Sequence, residues 1–370
     1  MTGVQTCALP ISYQCYGDPS LLLRRPVGSS ERRRRPVRYE FVAAREAVAE
    51  LERLTQQSRY QDIESSDDRK RREERIDALA RLCERRGWQG HGDIQEAFGR
   101  LWGEFGDHDR AITCYRAAQT AGDGSASMKA TEQLVNMLAR RGAHLLEVDE
   151  VDAHDRGKAL LAEAEKLIDG VLAVAPNLER YCLQGSIRKR KLKLATDGDL
   201  DMALQKMAAA YQSAERFVGE SGGRLYYPAL SVLHATLLRQ LLGTVTEAEL
   251  AAARARIEVV RQELGSPGFQ PRDFWDRVAP LDLALTEAML NAACDSTRQS
   301  DTDFDKSRED YQALLAYSSR RERGSVLDTL DTLTDFLGRL PSRRQGVHTA
   351  RAKELVKRLK RLADELRRLQ

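Results

Sequence analysis

Aromatic residues make up only 6% of this 370-residue chain, with 25 Gly and 10 Pro. Such a composition is short of what fills a β-sandwich, and the abundant Ala, Leu, Arg and Glu favour helices. No stretch approaches the roughly 18 uninterrupted apolar residues that a membrane helix needs, so a helical span is excluded. The six cysteines, at positions 7, 15, 83, 114, 182 and 294, stand singly with no CxxC pair. That spacing argues against a disulfide framework or a zinc site and predicts packing thiols in a reducing, cytoplasmic setting. Catalytic signatures are missing too: GSIRKRK at 185–191 lacks the second Gly and the Lys-Ser/Thr ending of a phosphate-binding loop, and neither HExxH nor Gly-x-Ser-x-Gly occurs. His144 and His154 share an insertion with Glu147, Asp149, Glu150, Asp152 and Asp155, which reads as solvated charge because no ligand spacing recurs. No cofactor or metal, and no catalysis of the chain's own, is expected.

What is present is charge and helical periodicity. The sequence is 31% charged and 42% hydrophobic, with a formal net charge of +3 that is unevenly spread. Residues 13–40 hold seven Arg against three acids, and 343–370 hold ten Lys or Arg against three acids. Between them lie 42 basic and 50 acidic residues. An acidic body with basic ends does not suit nucleic acid, which selects positive charge along one continuous face.

The chain divides by composition. Residues 1–12, MTGVQTCALPIS, carry no charge and fit no structural template; the string resembles the conceptual translation of a short-read sequencing adapter. That likeness implies a fragment whose part upstream of Tyr13 is missing. YQCYGDPSLLL at 13–23 is apolar and aromatic around a Gly-Asp-Pro turn signal, and an Arg/Pro-rich linker fills 24–38. From 39 to 370 the pattern is helical. Phe41, Ala44, Val48, Leu51 and Leu54 fall on one stripe, as do Ile76, Leu79 and Leu82, with Ser65, Ser66 and Asp67 offering an N-cap between them.

The segment 93–121 is the most informative. Counted on a repeat of about 34 residues with Gly99 at position eight, Phe98 falls at seven, Trp102 at eleven, Gly106 at fifteen, Ala111 at twenty, Tyr115 at twenty-four and Ala118 at twenty-seven. These positions resemble the tetratricopeptide signature. Small residues at eight, twenty and twenty-seven let two antiparallel helices approach, while the bulky side chains at eleven and twenty-four fill the space between neighbours. A degenerate second unit follows with Leu134, Leu138 and Gly142, then, after an insertion at about 143–156, Ala164, Ile168, Val171 and Pro176. A third has Tyr181 and Gly185, then Met207, Tyr211 and Ala214 beyond some ten extra residues. The clearest repeats thus span 93–217. Further amphipathic helices are predicted at about 225–243, 246–264, 274–296, 304–318, 323–338 and 347–370. The expected fold is all-α, a tetratricopeptide-like α-solenoid of stacked antiparallel helix pairs, because each pair buries its apolar face only against its neighbours. Leu355, Leu359, Leu362, Leu366 and Leu369 give the last helix a stripe that reads as a capping helix over 347–370, with a coiled-coil seam for a partner as the alternative. In the best repeat, Asp93, Glu96, Arg100 and Glu104 are expected to face the concave groove and a protein or peptide ligand.

Tyr13, Gln14, Tyr16, Gly17, Asp18 and Pro19 match a string with which many CHAT domains, the bacterial caspase-like proteases, end. "LQGSIRKRKL" at 183–192 and "YYPAL" at 226–230 are similar to the helical region of such proteins. The resemblance implies a cysteine protease acting through a His–Cys dyad. Cys15 lies beyond where the nucleophile would fall and no His precedes the linker, so no residue is assigned to the dyad. The resulting expectation is a regulatory or substrate-recruiting repeat region lacking its catalytic domain. The alternative is a free-standing scaffold for assembly or signalling.

Overall fold

The computed structural model describes residues 39–60, 66–196, 198–294, 299–318, 320–340 and 347–368. The adapter-like string, the CHAT-like string and the linker, all within 1–38, lie outside the described residues, as do Ser65 and Leu369. The described helices belong to one compact unit, Glu40–Gln370.

Fourteen α-helices follow one another, with no strand among the described residues. They are α1 (Ala44–Tyr60), α2 (Ser66–Arg86), α3 (Gly92–Phe105), α4 (His108–Thr120), α5 (Met128–Leu145), α6 (Ala153–Val174), α7 (Leu178–Lys191), α8 (Leu200–Ser221), α9 (Tyr226–Leu242), α10 (Glu247–Gly265), α11 (Phe274–Cys294), α12 (Gln299–Leu315), α13 (Arg320–Arg339) and α14 (Val347–Arg367). The all-α repeat architecture expected from the spacing is present. The ten extra residues of the third unit include one 3-10 turn, Leu192–Leu194, that carries the end of α7 toward α8.

Local chemistry sets the helix ends. Ile94, Ala97, Phe98, Leu101, Trp102 and Phe105 are the buried stripe of α3, which stops at Gly106. Gly106 takes φ +80°, a left-handed conformation that costs a β-carbon dearly, and the Asp107 N–H returns to the Trp102 carbonyl at 3.0 Å. Asp107 then caps α4, its carboxylate accepting the Arg110 N–H at 2.9 Å. At α1 the buried line is Ala47, Leu51 and Leu54, while Phe41 precedes the helix. The chain enters α1 through Glu46, whose carboxylate accepts the N–H groups of Val42 and Ala43 at 2.7 and 3.2 Å. These bonds hold the Glu46 carboxyl below its ordinary pKa, the Ala43 N–H contributing most.

Helices α1, α3, α5 and α7 contact one another in succession as one layer, and α4, α6 and α8 each pack on the first helix of the following pair. The approach is closest where side chains are smallest. A β-carbon on Gly99 would stand 2.9 Å from the Tyr115 ring, and one on Gly185 would stand 2.6 Å from the Tyr211 ring. Repeat positions eight and twenty-four therefore meet in both units. Between α5 and α6 the contact is backbone to backbone: a β-carbon on Gly157 would lie 2.8 Å from the Gly142 carbonyl oxygen.

From α9 onward the order changes. α9 contacts α10 and α11, and α11 contacts α12, but the pair α13–α14 returns to α9, with α14 also against α11 and α12. Leu355, Leu359, Leu362 and Leu366 are at most 4% exposed, so among the described residues this stripe packs within the chain and is not free for a partner helix. Phe336 of α13 and Leu340 just beyond it lie with Leu192, Leu200, Leu204 and Leu238, joining the last hairpin to the core that begins at α7.

Candidate functional site

The four positions Asp93, Glu96, Arg100 and Glu104 share one face of α3, and neighbours on both sides engage them. Arg100 donates to Glu96 at 2.9 Å and to Glu52 of α1 at 3.3 Å. Arg59 of α1 donates to Glu104 at 2.8 Å. Glu96 is only 7% exposed, and its carboxylate accepts the backbone N–H and the hydroxyl of Ser127, each at 2.9 Å. Ser127 is the N-cap of α5. Glu96 thus ties α3 to the start of α5, Arg100 carries the contact on to α1, and the Glu96 carboxylate is occupied by these bonds instead of standing open to a ligand. Asp93 accepts the Ile94 N–H at 2.7 Å, and its own N–H donates to Ser125 at 2.9 Å.

The same repeat position works again one unit later. Glu132 of α5, also 7% exposed, accepts from the Arg180 guanidinium of α7 at 2.8 Å, and Arg180 is itself 8% exposed. Lys129 joins Glu132 to Glu179, at 3.1 and 2.7 Å. Buried pairs of this kind fix which helix neighbours which more than they add stability. The available sequence signal is Glu at position five of two consecutive units. The third unit has Cys182 there, and the ladder stops.

Removing the Glu96 carboxylate tests its linking role. Glu96→Ala should cost about 1–2 kcal/mol, the loss of an acceptor for an N-terminal helix donor. Thermal unfolding should shift down, and the Ser127 amide should exchange faster with deuterium. Unchanged melting and unchanged protection would contradict it.

The remaining predicted side chains are core. Phe98, Trp102, Ala111, Tyr115, Ala118, Tyr211 and Ala214 are at most 7% exposed, and Gly99 and Gly185 hold the ring contacts described above. Trp102 meets Phe105 edge to face at 6.0 Å, and the Arg110 guanidinium sits 4.4 Å from the centre of the Trp102 ring.

Burial governs three of the described thiols. Cys83, Cys114 and Cys182 are free thiols, and burial pushes them up to about 11, 11 and 12. Reactive thiolates require the opposite shift. His234 is pushed down to about 3, first by burial and then by Lys189, and its Nε2 lies 3.1 Å from the Thr286 hydroxyl. His91, Asp93 and Asp123 bring one ligand atom each within 4.8 Å of one another. The Asp123 carboxylate there already accepts the Ser125 hydroxyl at 2.7 Å and the Gly92 N–H at 3.2 Å, bonds that keep it well ionised and busy with the loop. In the acidic insertion, Glu147 pairs with Lys193.

No helix of the described residues is long and apolar enough to cross a membrane. No curated protein and no solved structure matches the chain. Residues 107–238, from the cap of α4 into α9, match the family model Tetratricopeptide Repeats-Sensor (TPR-S). The α3–α9 stack, with its glycine–tyrosine contacts, is therefore a tetratricopeptide-like helical-repeat region, and over α4–α9 it is similar to that sensor family.

Proposed function

We propose that this chain is the protein-interaction and regulatory region of a CHAT-type cysteine protease, with the reactive dyad outside it. The observation that carries the interaction role is the stacked repeat layer matching a family whose name contains "sensor". Ligand binding along the first-helix layer would be coupled to a partner domain, so that occupancy shifts its activity. The protease context is supported by the resemblance of residues 13–19 to the CHAT ending. A free-standing scaffold is equally consistent with the repeats, and it would use the same surface to hold partners together.

The discriminating experiment is recovery of the intact locus. The protease reading expects, upstream of Tyr13, an alternating β/α pattern with a His and a Cys at caspase-like separation. A short or wholly helical upstream sequence would establish the scaffold instead. Filter binding of RNA and DNA is expected to show no salt-sensitive retention, because no continuous basic face is foreseen. Retention that falls steeply with added salt would overturn that expectation.

A further inference from the structure

The last helix carries more positive charge than its own packing uses. Residues 343–370 hold ten Lys or Arg and three acids, and an arginine takes each acid. Glu354 pairs with Arg358 at 3.0 Å, Asp364 with Arg367 at 2.8 Å, and Glu365 with Arg361 at 3.1 Å and with Arg308 of α12 at 3.6 Å. Other arginine contacts tie α14 to its neighbours. Arg351 donates to the Ala293 carbonyl of α11 at 2.9 Å, and the Arg358 guanidinium lies 5.3 Å from the centre of the Phe304 ring. The lysines are left over. Lys353, Lys357 and Lys360 are exposed, and among the described residues none of their ammonium groups has an ion pair or hydrogen bond.

These lysines share one place. With Val356, Arg361 and Arg368 they line a single open trough of about 670 Å³ along α14. Steps of three and four residues keep them on one helix face. A rise of about 1.5 Å per residue makes the row from Lys353 to Arg368 roughly 22 Å long. The opposite face, Leu355, Leu359, Leu362 and Leu366, is buried in the chain, so the row stands on a fixed support. Like charges one turn apart disfavour a helix. Nothing among the described residues offsets that repulsion, and an anionic partner would.

The chemistry of the row selects that partner. An ammonium group is a point charge, without the guanidinium fork suited to phosphate and nucleic acid. Val356 is half-buried against the core, so the trough offers no apolar side chain to a bilayer. Carboxylates border the row: Glu354 and Asp364 on α14 itself, and Asp331 of α13 beside Arg367. A membrane surface or a polyphosphate backbone would press negative charge on these as well. One acidic helix with carboxylates spaced by three and four residues would meet the lysines alone. The Arg-rich segment 24–38 of this chain has the wrong sign to fill the trough.

We infer that the Lys353, Lys357 and Lys360 row of α14 is a docking surface for an acidic helical segment of a partner protein. The surface is not part of the first-helix layer, since α14 packs on α9, α11, α12 and α13. It does not depend on the protease context.

The test uses the full chain and, as probe, a fluorescein-labelled alanine-rich peptide with glutamates at alternating steps of three and four residues. Fluorescence anisotropy should show saturable binding that weakens as sodium chloride rises. The triple variant Lys353→Glu, Lys357→Glu, Lys360→Glu changes only exposed side chains, and circular dichroism should find its helix content unchanged. It should bind the peptide at least about tenfold more weakly. Lys353→Gln, Lys357→Gln, Lys360→Gln removes the charges without adding repulsion, and should still lose at least about threefold. A peptide of the same composition with its glutamates in one block should bind more weakly than the spaced one. No saturable binding, equal binding by wild type and both variants, or equal affinity for the two peptides would overturn the assignment. So would tighter lysine-dependent binding to phosphatidylserine vesicles or duplex DNA, or a salt-sensitive dimer abolished by the same substitutions. Those results would give the row to a membrane, a nucleic acid or a second copy instead.

Discussion

Asp276→Ala should lower stability by about 3–5 kcal/mol, because it removes one partner of a buried, multiply bonded charge. Asp276 lies in the first turn of α11 and is 1% exposed. Its carboxylate accepts the Tyr226 hydroxyl at 2.9 Å, the Arg272 N–H at 2.9 Å, the Arg272 guanidinium at 3.1 Å and the Arg224 guanidinium at 3.3 Å. Burial pulls this carboxyl upward, yet the Arg272 backbone and side chain, Tyr226 and Arg224 together hold it at about 2. Truncation would strand the Tyr226 hydroxyl and leave the Arg224 head group only the Gln270 carbonyl and the Phe269 ring, its Nε already lacking a partner. Since α9 and α11 both depend on the carboxylate, thermal unfolding should move down by roughly 10 °C. Amide exchange should quicken first between Tyr226 and Phe274.

The pH dependence has a definite sign. A carboxyl whose folded pKa is depressed stabilises the protein above its unfolded pKa near 3.8, and that contribution fades as pH falls toward about 2. Wild type should therefore lose stability between about pH 4 and pH 2, and Asp276→Asn should lose less over that window while being less stable at pH 7. Parallel acid titrations of the two proteins would refute this account.

Gly185→Val should destabilise the α7–α8 pair by about 3 kcal/mol, the upper range for forced overpacking. The first added carbon would meet three atoms of the Tyr211 ring at 2.6–2.8 Å, and Tyr211 is 1% exposed. Steric origin makes the effect rescuable: in Gly185→Val, Tyr211→Ala the combined loss should be clearly smaller than the sum of the single losses. Gly170 is the control. It sits exposed in α6 with open space around its β-position, so Gly170→Ala should raise stability by about 0.5–1 kcal/mol through helix propensity alone. Additive losses in the double variant, or loss in the control, would show that backbone flexibility and not contact governs these glycines.

Much of this architecture was legible in local pattern. Gly99, Trp102, Gly106, Ala111 and Tyr115 announce a helix pair because their sizes alternate with the spacing of two touching helices, and α3 and α4 occupy that segment. The six later helices begin or end within a few residues of the predicted limits, four of the twelve boundaries differing by three residues or more at α12, α13 and α14. Periodicity marks where a helix is amphipathic, not where fraying or a cap stops it.

Partnership was less legible. Glu96 and Glu132 look like any surface acid on a charged helix, and only the neighbouring units show that Ser127 and Arg180 await them. The leucine stripe of α14 is the same whether it meets a partner or its own chain, and its burial was decided by the return of α13–α14 to α9 and α11. Helix formation and the register of small and large residues are set by contacts a few positions apart, and the amino-acid order alone determines them. Which side chains meet across 30 to 60 residues depends on how the helix pairs stack, and only the tertiary structure decides that.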